Sequence, residues 1–124
     1  MTTVALVEDN ADNRLLVRVL IGHLYDVREY ASGADALDAF SRELPDLVLL
    51  DISLPGISGL DVLARIRTDT RLARLPVVAI TAHAAQGERA RFMAAGFDEY
   101  VSKPIVDETL LLGAIAAALA RAHD

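Results

Sequence analysis

Five short runs of apolar or β-branched residues alternate with five longer amphipathic segments, and this alternation constrains the fold more than any other feature of the chain. The runs are approximately Thr3–Glu8, Asp26–Tyr30, Asp46–Asp51, Val77–Thr81 and Asp98–Val101; the segments between and after them, approximately Ala11–Leu24, Gly33–Arg42, Gly59–Thr68, Gln86–Ala95 and Val106–Arg121, carry helical spacing. Strand followed by helix, five times over, implies a parallel sheet with helices on both faces. The first, third and fourth runs are almost unbroken apolar residues, as strands covered on both sides should be. The second and fifth are mixed and suit the edges. That distribution predicts a doubly wound, flavodoxin-like α/β sheet in the order 2-1-3-4-5, with its topological switch between the first and third strands.

Local signals support these elements. The first helix should pack through Leu15, Leu16, Val19, Leu20 and Leu24, with Arg14 and Arg18 off that face. Asp9 and Asn10 precede it, where short polar side chains cap free backbone N–H groups. Gly96 follows Ala94-Ala95 as a C-terminal helix glycine would, and Ser32-Gly33 and Pro55-Gly56 mark loops. No internal repeat or low-complexity tract interrupts the 124 residues, so one domain spanning 1–124 is expected.

Composition removes several classes. Hydrophobic residues make up 53% of the chain, which excludes disorder. A formal net charge of −6 disfavours nucleic acid and anionic membrane surfaces as partners. There is no cysteine, so thiol nucleophiles and thiolate metal sites are absent. His23, His83 and His123 have no spacing that would make a zinc site. Leu110–Ala120 is too short to cross a bilayer and the first residues lack a secretion signal; a cytoplasmic protein is expected.

The runs end alike. Glu8 and Asp9 close the first, Asp51 the third and Thr81 the fourth, and Lys103 follows the fifth. In a parallel sheet these groups emerge along one edge, where open α/β sheets place their sites. Three carboxylates crowded into a crevice repel one another unless a cation joins them. A hard divalent ion such as Mg2+ suits them, and a hydroxyl and an ammonium beside them suit a phosphoryl group. Taken singly, each residue has a plainer role: helix cap, turn hydroxyl or surface lysine. Their joint placement carries the inference.

Val7-Glu8-Asp9-Asn10, Asp51-Ile-Ser-Leu-Pro55 with Gly59 eight residues after Asp51, Thr81-Ala82 and Lys103-Pro104 together resemble the receiver domain of two-component response regulators, in order and spacing, along the whole chain. The segment from Leu72 to His83 looks most like stand-alone receivers of the DivK type. The resemblance implies a CheY-like (βα)5 fold and a phosphoacceptor, Asp51, charged by a phosphohistidine donor. It implies Mg2+ held by Glu8, Asp9, Asp51 and the backbone carbonyl of Ser53, with Thr81 and Lys103 on phosphoryl oxygens and Ala82 leaving room for the group. It implies that Thr81 and Tyr100 switch together, and that Ser53 and His83 tune the phosphoryl lifetime. Tyr100 can equally be a strand tyrosine packing its ring at the sheet edge.

Output would pass through the face of the fourth helix, fifth strand and fifth helix, where Ala84, Ala85 and Ala90 are small and Arg89 and Arg91 either make the surface locally basic or are simply a solvated helix face. Expected partners are a histidine kinase or histidine phosphotransfer protein and a downstream protein target, for a monomer or a phosphorylation-dependent dimer. Three other readings compete. One is a receiver segment of a hybrid kinase. Another is a magnesium phosphatase with Asp51 as nucleophile, although Ser53 stands where such enzymes usually carry a second acid. The third is a flavodoxin-like cofactor binder, whose phosphate Glu8-Asp9-Asn10-Ala11-Asp12 would repel.

Overall fold

The computed structural model describes residues 1–82, 87–105 and 107–121. Five strands, β1 (Thr3–Val7), β2 (Asp26–Tyr30), β3 (Leu47–Asp51), β4 (Val77–Thr81) and β5 (Glu99–Ser102), alternate with α1 (Ala11–Ile21), α2 (Gly33–Phe40), α3 (Gly59–Thr68), α4 (Glu88–Ala95) and α5 (Glu108–Arg121). All neighbouring strands pair in parallel, in the order β2-β1-β3-β4-β5. The expected topology is the observed one, and the three apolar runs are its interior strands.

Period-two alternation within those strands builds two cores. Ala5, Val7, Val48, Leu50, Val77 and Ala79 face α2, α3 and α4, meeting Ala36, Phe40, Val62, Leu63, Ile66 and Phe92. Val4, Leu6, Leu47, Leu49, Val78 and Ile80 face α1 and α5, meeting Val17, Ile21, Leu111, Ile115 and Ala118. Each fully buried leucine or isoleucine contributes about 1.5–3 kcal/mol by leaving water. No helix among the described residues is long and apolar enough to cross a membrane.

Three local expectations need correction. The buried face of α1 is Val17 and Ile21, with Leu20 partly covered; Leu15, Leu16, Val19 and Leu24 are 49%, 37%, 68% and 48% exposed. The apolar arc of this helix is wider than its contact with the sheet, so pattern alone selected the wrong part of it. α1 and α2 also end at Ile21 and Phe40, short of Leu24 and Arg42. Finally, Arg89 and Arg91 do not leave a basic surface. Arg89 Nη1 lies 2.8 Å from Glu99 Oε1 and Arg91 Nη1 3.3 Å from Glu88 Oε2, and Arg121 reaches the other oxygen of Glu99 at 3.0 Å. Ala84, Ala85, His83 and the expected helix starts at Gln86 and Val106 lie outside the described residues, as does His123.

Candidate functional site

The register of the central strands delivers the acidic groups together. Val7 pairs with Leu50 and Asp51 with Ile80, so the residues following β1 and closing β3 and β4 share one edge. Carboxylate oxygens of Glu8, Asp9 and Asp51 lie within 4.8 Å of one another. Glu8 and Asp51 are 2% exposed and Thr81 1%, whereas Asp9 faces solvent. The cluster therefore has two walled acids and one at its mouth.

Lys103 lies across this group. Its Nζ is 2.8 Å from Glu8 Oε1 and 2.9 Å from Asp51 Oδ2. The lysine is aimed from the end of β5 by its own backbone, whose N–H donates to the Thr81 carbonyl at 2.7 Å; the following Lys103–Pro104 peptide is cis. Burial pulls the ammonium down, but hydrogen bonds to Glu8 and Asp51 outweigh it and leave the group above its ordinary value. For Glu8, burial dominates and pushes the carboxyl above the usual carboxylate range, with Asp51 adding to the rise and Lys103 opposing it. One ammonium thus offsets two buried acids incompletely. A divalent cation bound by the acids would relieve the remaining repulsion, and an all-oxygen donor set fits a hard ion such as Mg2+.

Asp51 is held from below as well. Its Oδ1 accepts from the Ser53 N–H at 3.0 Å, and the chain beyond it is pinned by Ile52 N–H to the Ile80 carbonyl and Gly59 N–H to the Ile52 carbonyl. Gly59 has to be glycine for this. A Cβ there would sit 2.3 Å from the Asp51 carbonyl oxygen and 2.7 Å from Ile52 Cα, both backbone atoms that cannot yield locally. Ser58 caps α3 at the same point in a reciprocal box with Asp61.

Tyr100 is half-buried. Its ring lies 6.2 Å from that of Phe92, with the Arg89 guanidinium 6.0 Å from its centroid. It forms part of a groove of about 630 Å3 along the outer edge of the sheet between α4 and α5, with Leu110, Gly113, Ala114 and Ala117 on the α5 side. The structure thus brings Glu8, Asp9, Asp51 and Lys103 together, with Thr81 and Ser53 beside them, and places Tyr100 in the neighbouring groove. His83 lies outside the described residues.

Three residues hold Glu8, of which the sequence points to Asn10 as a helix cap but not to Asn13 or Arg14 as partners of this acid. The Asn10 N–H and Asn13 Nδ2 each donate to a Glu8 oxygen at 3.2 Å, and Arg14 Nη1 donates to the Glu8 carbonyl at 2.8 Å. The available signal was their spacing: 10, 13 and 14 follow one face of the helix that starts beside Glu8. Asn10, not Asp9, is the cap, its Oδ1 accepting from the Asp12 and Asn13 N–H groups.

Known proteins resemble this chain in sequence and fold. Residues 4–116 fit the family model described as response regulator receiver domain. The polar-differentiation response regulator DivK of Brucella ovis is 42% identical over 104 residues, covering 83% of this chain and 85% of the relative. A response regulator structure from Chloroflexus aurantiacus superposes with a TM-score of 0.88 at 29% identity, covering 96% of this chain and 98% of the other. The receiver domain of a Pseudomonas aeruginosa sensor histidine kinase superposes with a TM-score of 0.85 at 30% identity, with the same two coverages; that structure has a magnesium ion coordinated in its active-site cleft. With its sheet order, its acidic edge and these likenesses in agreement, the chain belongs to the response regulator receiver domain family of two-component signalling.

Proposed function

We propose that this protein is a DivK-like response regulator receiver that takes a phosphoryl group from a phosphohistidine donor onto Asp51. One observation carries the reading: three carboxylates converge within 4.8 Å at the end of β1 and β3, with the Lys103 ammonium bridging two of them. Glu8, Asp9, Asp51 and the Ser53 carbonyl would hold Mg2+, which supplies positive charge for the equatorial phosphoryl oxygens. An Asp51 carboxylate oxygen attacks phosphorus in line, the P–N bond breaks, and the imidazole leaves with its electron pair. Lys103 turns from Glu8 toward a phosphoryl oxygen, and the Thr81 hydroxyl takes another. What the protein contributes is alignment and charge, which phosphoryl transfer needs more than acid–base chemistry.

The uncovered apolar strip of α1 fits the donor. Leu16 borders the small recess that also includes Glu8, Lys103, Pro104 and Ile105, so the strip runs directly into the pocket that a phosphohistidine must reach. Leu15 and Val19 extend it outward, giving an apolar footing for a helix bearing that histidine. Output would use the neighbouring surface, the groove between α4 and α5 with Tyr100 in its wall, on which a downstream protein reads the new state.

Incubation with acetyl phosphate and Mg2+ tests the reading by intact mass. The wild type should gain one phosphoryl group and Asp51→Asn none; an equal gain in the variant would remove Asp51 as acceptor. Lys103→Ala should still fold and become phosphorylated, but its affinity for the downstream protein should no longer depend on phosphorylation. Retained dependence would count against its role.

A further inference from the structure

We propose that Asn13 is a positioning residue that keeps the Glu8 carboxylate aimed into the acidic pocket when Lys103 lets go of it; this rests on the reading of Glu8 as a holder of a divalent cation. Glu8 is gripped at every polar atom. Oε2 accepts from the Asn10 N–H at 3.2 Å, and the backbone carbonyl accepts from Arg14 Nη1 at 2.8 Å. The Glu8 N–H donates to the Tyr30 carbonyl at 3.0 Å. Oε1 has two donors, Asn13 Nδ2 at 3.2 Å and Lys103 Nζ at 2.8 Å.

Those two donors differ in kind. The ammonium is a point charge on a flexible four-carbon stem, and it is divided between Glu8 and Asp51. Its proposed task is to move to a phosphoryl oxygen. The Asn13 amide hangs from the first turn of α1, a turn fixed by the Asn10 cap onto the Asp12 and Asn13 N–H groups at 2.9 and 3.0 Å. Arg14, the next residue, anchors the same turn to the Glu8 carbonyl and stands 3.4 Å from Glu29 of β2. Asn13 must present its NH2 here, because its carbonyl oxygen would repel the carboxylate. A bond from a rigid turn to Oε1 therefore persists when the lysine leaves, and it holds the side chain that the cation needs. Groups that orient metal-holding side chains typically change metal affinity about 10-fold or more when removed.

The test is Mg2+ titration of the full chain, followed by the amide NMR shifts of residues 8, 9 and 51. Asn13→Leu, similar in size and without the donor, should weaken binding about 10-fold with an unchanged thermal midpoint. Its phosphorylation by acetyl phosphate should slow at low Mg2+ and recover at saturating Mg2+, a change in affinity and not in maximal rate. In a Glu8→Ala background the same substitution should change affinity by less than about 2-fold, because nothing remains for it to orient. Equal affinity in wild type and Asn13→Leu overturns the proposal, as does an undiminished loss in the Glu8→Ala background. Wild-type shifts that do not respond to Mg2+ at all defeat the cation reading itself and the proposal with it.

Discussion

α3 and α4 pack against the same face of the sheet, yet they are built to different standards. α3 is capped by the reciprocal Ser58–Asp61 box and buries Gly59, Val62, Leu63 and Ile66. α4 follows Gly87 with no side-chain cap and buries only Phe92. Its firm attachment is at its far end, where Arg67 of α3 donates twice to the Gly96 carbonyl and pairs with Asp98 at 2.9 Å. The helix beneath Asp51 is thus buried along its length, whereas the helix beside Tyr100 is held by Phe92 and by polar contacts, the Arg89–Glu99 pair at its start and those of Arg67 beyond its end. A phosphoacceptor has to be rigid for in-line attack, whereas a surface that reports on phosphorylation has to have two arrangements of similar energy. The difference in packing suits the division of labour proposed above.

Substitutions can break this contrast. The largest effect is expected from Ile66→Ala, which empties a fully buried site in α3 and should cost about 2–5 kcal/mol in denaturant unfolding. A loss under 1 kcal/mol would mean that α3 is no better packed than α4. Gly59→Ala comes next. Its methyl group drives into the Asp51 carbonyl, and overpacking of that kind costs about 1–3 kcal/mol. It should also slow phosphorylation by displacing the acceptor, so unfolding midpoints and phosphorylation rates should fall together. The smallest effect should be that of Arg91→Ala, which removes an exposed pair with Glu88 on α4 and should stay within about 0.5 kcal/mol. A larger loss there would show α4 to be held more tightly than its burial suggests.

Much of this molecule can be read from its residues, for reasons the two helices illustrate. Strands with unbroken apolar runs, such as Leu47–Leu50, have one stable placement, between two layers of helices, and they carry Asp51 to the edge with them. Glu8, Asp51 and Thr81 are visible because each terminates such a run, and Lys103 because it follows the mixed fifth one. Surface and tertiary pairings are not visible in the same way. Leu15, Leu16 and Val19 obey helical spacing but stay in water, because burial of apolar residues is a rule that runs in one direction only. Arg89 looks free until β5 brings Glu99 within 2.8 Å of it. Asn13 looks like an ordinary helix polar residue until the turn of α1 over the end of β1 sets its amide against Glu8.

The central claim concerns the chemical bond made at position 51, and chemical trapping reaches it directly. Borohydride reduces an acyl phosphate to the alcohol, so protein phosphorylated in the presence of Mg2+ and then reduced should carry homoserine in place of Asp51. Peptide sequencing should find that residue at position 51 alone. Homoserine at position 9, the one-carbon-longer 5-hydroxynorvaline at position 8, or a stable phosphate ester on Ser53 or Thr81, would contradict the assignment of Asp51 as acceptor.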